Sequence, residues 1–219
     1  MTEQAIRLIG QRFPLKRRDP GEYAAFKASP LALTLDWYEA EGLGNVSVLH
    51  GKAMGGLMKM DTLVINATGR DMPLFSYDYI SAMGSHTLLV EYYDTMLAPA
   101  AFDASALEQV KASAAALPDN DLGAHWYDPM KLPASLSKKT KKRDLPQLET
   151  TFLSALTAYL FLAAEKEPIA DPAAKRERAA AYVNGLLEKG GPSTDAFAKS
   201  IGKDRTRDLF TRIVFGTEA

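Results

Sequence analysis

Three stretches decide how this chain folds: Val46-Ser47-Val48-Leu49-His50-Gly51-Lys52, Met60-Asp61-Thr62-Leu63-Val64-Ile65-Asn66-Ala67 and Thr87-Leu88-Leu89-Val90-Glu91-Tyr92-Tyr93. Each is rich in β-branched or aromatic residues and partly alternating, as half-buried strands are. Turn chemistry separates them: Gly55-Gly56, then Gly69-Arg70-Asp71, then Gly84-Ser85. Links this short join antiparallel neighbours, because a parallel pair needs a crossover of a dozen or more residues. Residues 44–97 therefore predict an antiparallel meander.

On the N-terminal side, Met1 to Ala40 reads as helical at its ends, with Asp19-Pro20-Gly21-Glu22 as a helix start. On the C-terminal side, Asp103 to Ala219 reads as mostly helical. An alanine-rich helix opens at Asp103-Ala104-Ser105 and stops before Pro118. A loop rich in Pro, Asp, Ser and Lys runs from Pro118 to Pro146. Leu145 to Lys166 carries Leu148, Phe152, Leu156, Tyr159 and Leu160 at helical spacing. Asp171-Pro172 opens another helix to about Lys189, and Thr194 to Phe215 holds one or two short helices broken near Gly202. Sheet first and helices after make an α+β protein.

With 219 residues, 47% of them hydrophobic, the chain can bury roughly 70% of its unfolded surface without a staple, and we read residues 1–219 as one domain. There is no cysteine, which excludes disulfides, thiolate metal sites and a cysteine nucleophile. A formal net charge of −1 disfavours a globally basic nucleic-acid binder. Glu3 and the lack of a long apolar run argue against a secretory signal, and no stretch reaches the ~18 apolar residues of a membrane span. A cytoplasmic protein is expected.

Glycine-rich phosphate loops, His-Glu-x-x-His and Gly-x-Ser-x-Gly are all missing. His50, His86 and His125 lie far apart, without metal-ligand spacing, and no metal site is expected. The distinctive stretch is Asp71-Met72-Pro73-Leu74-Phe75-Ser76-Tyr77-Asp78-Tyr79-Ile80, followed by a glycine turn and an apolar strand. It resembles the ferredoxin-dependent bilin reductases, whose pattern here is Leu-Pro-(Leu/Ile)-Phe-Gly-x-Asp-(Ile/Leu)-Val; the red chlorophyll catabolite reductases share their fold. Leu49-His50-Gly51-Lys52 and Met60-Asp61-Thr62-Leu63 match the two preceding strands of that family. Trp126 resembles the tryptophan of its Pro-Trp-Gly loop. The segment from Ala198-Lys199-Ser200-Ile201-Gly202-Lys203-Asp204 to Arg212-Ile213-Val214-Phe215 is similar to its C-terminus.

The resemblance implies an α/β/α three-layer sandwich, with helices on both faces of a central antiparallel sheet. It implies reduction of a linear tetrapyrrole such as biliverdin, with no tightly bound cofactor and single electrons from external ferredoxin or flavodoxin. Asp78 matches the family's proton-donating aspartate and His50 a histidine of the earlier strand. Lys52 stands where some members have a catalytic glutamate, and Val64 where they have a second histidine. Lys52 then pairs with a substrate carboxylate, and Asn66 is a further polar candidate. Lys138 or Lys139, in the basic run Ser137-Lys138-Lys139-Thr140-Lys141-Lys142-Arg143, falls near a propionate-binding arginine. That run and Lys16-Arg17-Arg18 would receive an acidic electron carrier. Such runs are otherwise solvated loops, Asp78 otherwise a turn cap, and His50 otherwise a core histidine. A non-catalytic tetrapyrrole-binding protein and an interaction module are the rival readings. His50, Lys52, Val64 and Asp78 are expected to converge on one cavity between the sheet and the C-terminal helices.

Overall fold

A computed structural model describes residues 1–218. Eight strands form one antiparallel sheet: β1 (Leu15–Arg18), β2 (Ala25–Ala28), β3 (Leu31–Ala40), β4 (Gly44–Ala53), β5 (Met58–Asn66), β6 (Leu74–Ala82), β7 (Ser85–Tyr93) and β8 (Leu136–Lys141). Their order is β1-β3-β4-β5-β6-β7-β8, with β2 also pairing β3. The meander over residues 44–97 is present as expected, and the motif strand is β6. The β6–β7 link is a two-residue turn, with Met83 at φ 50° and Gly84 at φ 76°. Positive φ at both central positions matches the right-handed twist of the flanking strands.

Six α-helices cover the two faces. On one face lie α1 (Thr2–Arg12), α2 (Ser105–Ser113) and α3 (Leu145–Glu165); on the other lie α4 (Pro172–Lys189), α5 (Pro192–Ile201), α6 (Lys203–Asp208) and a π-helical turn at Leu209–Val214. The α/β/α sandwich is thus observed. Strand alternation sorts the core residues. Val46, Val48, Leu63, Ile65, Tyr77, Leu88 and Val90 face α3, where Tyr77 stacks on Phe152 at 3.8 Å between ring centroids. Leu33, Leu35, Leu49, Val64, Leu74 and Tyr93 face the C-terminal helices.

The helix expected at the N-terminal end of Met1 to Ala40 and those expected over 145–166 and 171–189 are present, while the other end of Met1 to Ala40 is strand; the Asp171 side chain accepts from the amides of Ala173 and Ala174 to open α4. Two expectations fail. Asp19-Pro20-Gly21-Glu22 leads only into a short 3₁₀ turn, and most of residues 15–40 is strand. Leu33 and Leu35 are buried while Ala32 and Thr34 are exposed, the period of two that a strand requires. The loop expected between Pro118 and Pro146 contains β8. Its lysines hid the alternation, because Leu136, Lys138 and Thr140 are the buried positions.

Candidate functional site

Asp78 sits midway along β6. Its neighbours across the ladder are Thr62 on β5 and Leu89 on β7, and the next strand places Ser137 of β8 beside Leu89. These side chains share the face of the C-terminal helices, yet those helices leave this strip partly open. Thr62, Ser76, Asp78, Ile80, Thr87, Leu89 and Ser137 are all half-buried, whereas Tyr77, Tyr79, Leu88 and Val90 on the reverse face are buried beneath α3.

Water reaches Asp78, but its carboxyl lies deep enough to lose most of its solvation. Its pKa is raised to about 6, mainly by burial, with a hydrogen bond from the Thr62 hydroxyl opposing the rise and the charge of Glu91 adding to it. A carboxyl group in that range can hold a proton at neutral pH and give it to a bound substrate.

Glu91 faces the same side, opposite Ser76. It is buried, accepts a hydrogen bond of 2.7 Å from the Tyr93 hydroxyl, and pairs at 2.7 Å with Lys131. Lys131 also reaches Asp128 at 3.0 Å. Burial opposes the charge on Lys131, but the bonds to Glu91 and Asp128 outweigh it and hold its pKa above the usual value. Tyr93 stacks on Tyr182 of α4 at 4.3 Å, and Tyr127 packs edge-on to both. Burial raises the pKa of all three phenols, so they remain protonated donors. Trp126 closes this side, donating to the Gly190 carbonyl at 2.8 Å. Sequence reasoning left Thr62, Glu91, Lys131, Tyr127 and Tyr182 out of the site. Only the parity of Thr62, Asp78 and Glu91 within their strands was legible beforehand.

The other expected residues do not join Asp78. His50 pairs across the ladder with Asp61, Asp61 with Tyr79, and Lys52 with Lys59, all on the α3 side of the sheet. The expected convergence of His50 and Lys52 with Asp78 and Val64 is therefore corrected. The β4 residues facing the Asp78 side are Asn45, Ser47, Leu49, Gly51 and Ala53, since a shift of one residue reverses every side chain. Val64 does face the Asp78 side, but is buried beneath the C-terminal helices. Asn66 is fully buried and donates at 2.7 Å to the Phe215 carbonyl, clamping the C-terminal segment. Ser47 and Asn45 bond the adjacent Val214 carbonyl in the same way, at 2.8 and 3.2 Å.

Lys138 points to the α3 side, buried, and binds Asp119 at 2.7 Å and the Leu117 carbonyl at 3.0 Å, which corrects its assignment to a substrate. Lys139 is exposed and lies opposite Thr87, on the Asp78 face. Of the second basic cluster, Arg17 and Arg18 are paired with Asp36 and Glu39. Among the described residues no three His, Asp or Glu side chains are grouped to hold a metal, and no helix is long and apolar enough to cross a membrane.

No protein-family model and no curated protein matches the sequence. Among solved structures, the crystal structure of phytochromobilin synthase from tomato in complex with biliverdin superposes with a TM-score of 0.81. The match covers 99% of this chain and 82% of that one, at 14% identity. The chain has the bilin reductase fold.

Proposed function

We propose that this chain, folded as a bilin reductase, binds a linear tetrapyrrole over the open strip around Asp78 and reduces it. The observation that carries this reading is a half-buried carboxyl group with its pKa near 6, on the uncovered part of a fold whose solved relative is complexed with biliverdin. Reduction adds two electrons and two protons to the conjugated system. The electrons arrive singly from an external ferredoxin or flavodoxin. Asp78 gives one proton to the radical anion formed after the first electron, is reprotonated from water reaching the strip, and gives the second proton after the second electron. Thr62, donating to one carboxyl oxygen, fixes the direction of the group. Lys139, exposed on the Asp78 face, pairs in this reading with a substrate carboxylate, and the exposed Lys141 to Arg143 extend the basic rim that would receive an acidic carrier.

The absence of a second free acid among the neighbours of Asp78 favours the rival reading, a tetrapyrrole carrier without turnover. Beside Asp78, β4 and β5 present Leu49, Gly51, Thr62 and Val64, and Glu91 is held by Lys131 and Tyr93. Anaerobic incubation with biliverdin, ferredoxin and a reducing system decides between them. The reductase reading expects loss of the biliverdin absorbance in wild type. It expects retained binding without turnover in Asp78→Asn, since general acid catalysis is worth roughly 10²–10⁴-fold. Spectral change on mixing, with no turnover by either protein, establishes the carrier. No spectral change at all removes both readings.

A further inference from the structure

The sheet has a second concavity, on the opposite face from Asp78. It is a depression of 610 Å³ at the end of β2–β5, with Lys27, Ala32, Thr34, His50, Lys52, Lys59 and Asp61 in its lining. The helices of that face cover Val46, Val48, Leu63 and Ile65 but not this end of the same strands. Its floor is low because the ladder places small residues there: Ala25 opposite Thr34, and Ala32 between Lys27 and Lys52.

The arrangement of charge is unfavourable as it stands. Lys52 lies directly opposite Lys59, and Lys27 joins the same cross-strand row through Ala32. Like charges directly opposite each other destabilise a sheet. Among the described residues none of these three lysines has an ion-pair partner. The one carboxylate in the lining, Asp61, is bound at 2.6 Å to His50 Nδ1. That bond also raises the His50 pKa, and it leaves Asp61 engaged with His50 rather than with the lysines. A local rule broken with no compensation inside the fold marks a place where something outside it compensates. The volume suits a small molecule, within the roughly 300–1,000 Å³ of ligand sites.

We propose that this depression is a binding site for a small multivalent anion, carrying phosphate or carboxylate groups, held between Lys27, Lys52 and Lys59 with His50 at its floor. The sheet itself separates it from the Asp78 strip, so it stands whether or not the chain reduces a bilin.

The test uses the full chain, titrated with pyrophosphate and separately with citrate, followed by calorimetry and by the ring resonances of the three histidines. His50→Gln identifies the His50 signal. Saturable binding that moves the His50 resonance is expected, weakened at least tenfold in Lys52→Met/Lys59→Met and unchanged in Lys16→Met. A preference for pyrophosphate or for citrate assigns the phosphate or carboxylate source. With no anion present, Lys59→Met alone should unfold at the same or a higher temperature than wild type, because a like-charge contact is removed. No saturation by ~10 mM of either probe overturns the proposal, as does equal weakening in Lys16→Met or a lower unfolding temperature for Lys59→Met.

Discussion

Asp78 couples the proposed chemistry to stability, and the sign of each effect follows from its raised pKa. If protonated Asp78 is the donor, turnover falls about tenfold per pH unit above a pH near 6, and a pH–rate profile checks this. For folding, a carboxyl pKa raised above its unfolded value contributes stability fully below the unfolded pKa, near 4. That contribution is lost as pH rises through about 6. Asp78→Asn keeps an acceptor for Thr62 and removes the buried charge. It should therefore be more stable than wild type at pH 7, by about 1–3 kcal/mol after allowance for water access, and equal to it near pH 4. Urea denaturation at the two pH values measures the difference. A variant less stable at pH 7 than at pH 4, relative to wild type, shows that the carboxylate is a structural partner instead.

The packing of α4 on the Trp126 loop depends on one glycine. Gly185 lies inside α4, where glycine costs helix stability relative to alanine. A Cβ on Gly185 would come within 2.2 Å of the Trp126 ring, so the helix has a gap cut to the shape of the indole. Lys189, one turn further on, covers the ring at 4.9 Å. Gly185→Ala, stabilising in an exposed helix, should here cost about 1–3 kcal/mol through overpacking. In a Trp37→Phe background it should also shift Trp126 fluorescence to the red as the ring is displaced. Unchanged emission and a higher unfolding temperature would mean that the ring yields without strain. In β8 the alternation is equally decisive: Lys138 is spent on Asp119 and Leu117, while its neighbours Lys139 and Lys141 take the Asp78 face.

The sheet and the C-terminal helices are held together by a buried lysine. Lys175 of α4 donates to the Met72 carbonyl at 2.6 Å, the Thr95 carbonyl at 2.7 Å and the Thr95 hydroxyl at 3.0 Å. It thereby joins α4 to the segments before β6 and after β7, one of which carries the Pro73-Leu74-Phe75 motif into the sheet. Lys175→Met keeps the stem but leaves two buried carbonyls unpaired, at about 1–3 kcal/mol each. Burial lowers the Lys175 pKa to about 8, so the folded state holds fewer protons than the unfolded chain between pH 8 and the ordinary lysine value. Stability from this group therefore rises with pH across that window. The wild-type advantage over Lys175→Met should widen from pH 8 to pH 10 in paired denaturation curves; an advantage that shrinks would place the charged form as the preferred one.

The antiparallel meander, α3 and the capped start of α4 were legible because each depends on local chemistry: glycine turns, a 3.6-residue apolar period, and an aspartate before a proline. The motif around Asp78 was legible too, as a string of residue types. Strand β8 and the strands of residues 15–40 were not, since lysine stems fill buried positions and a proline-glycine turn imitates a helix start. Above all, which face each strand turns toward which helices is a matter of register, and register is set by pairing between strands rather than within one. His50 and Lys52 share a face by parity alone, but only the ladder shows that Asp61 lies opposite His50 and Thr62 opposite Asp78. Those two pairings, one residue apart on β5, send the His50 group and Asp78 to opposite sides of the molecule. Likewise the Thr62 bond that fixes Asp78 and the Lys131 pairing that holds Glu91 come from residues distant in sequence, and exist only once the strands and the Lys131 loop have come together.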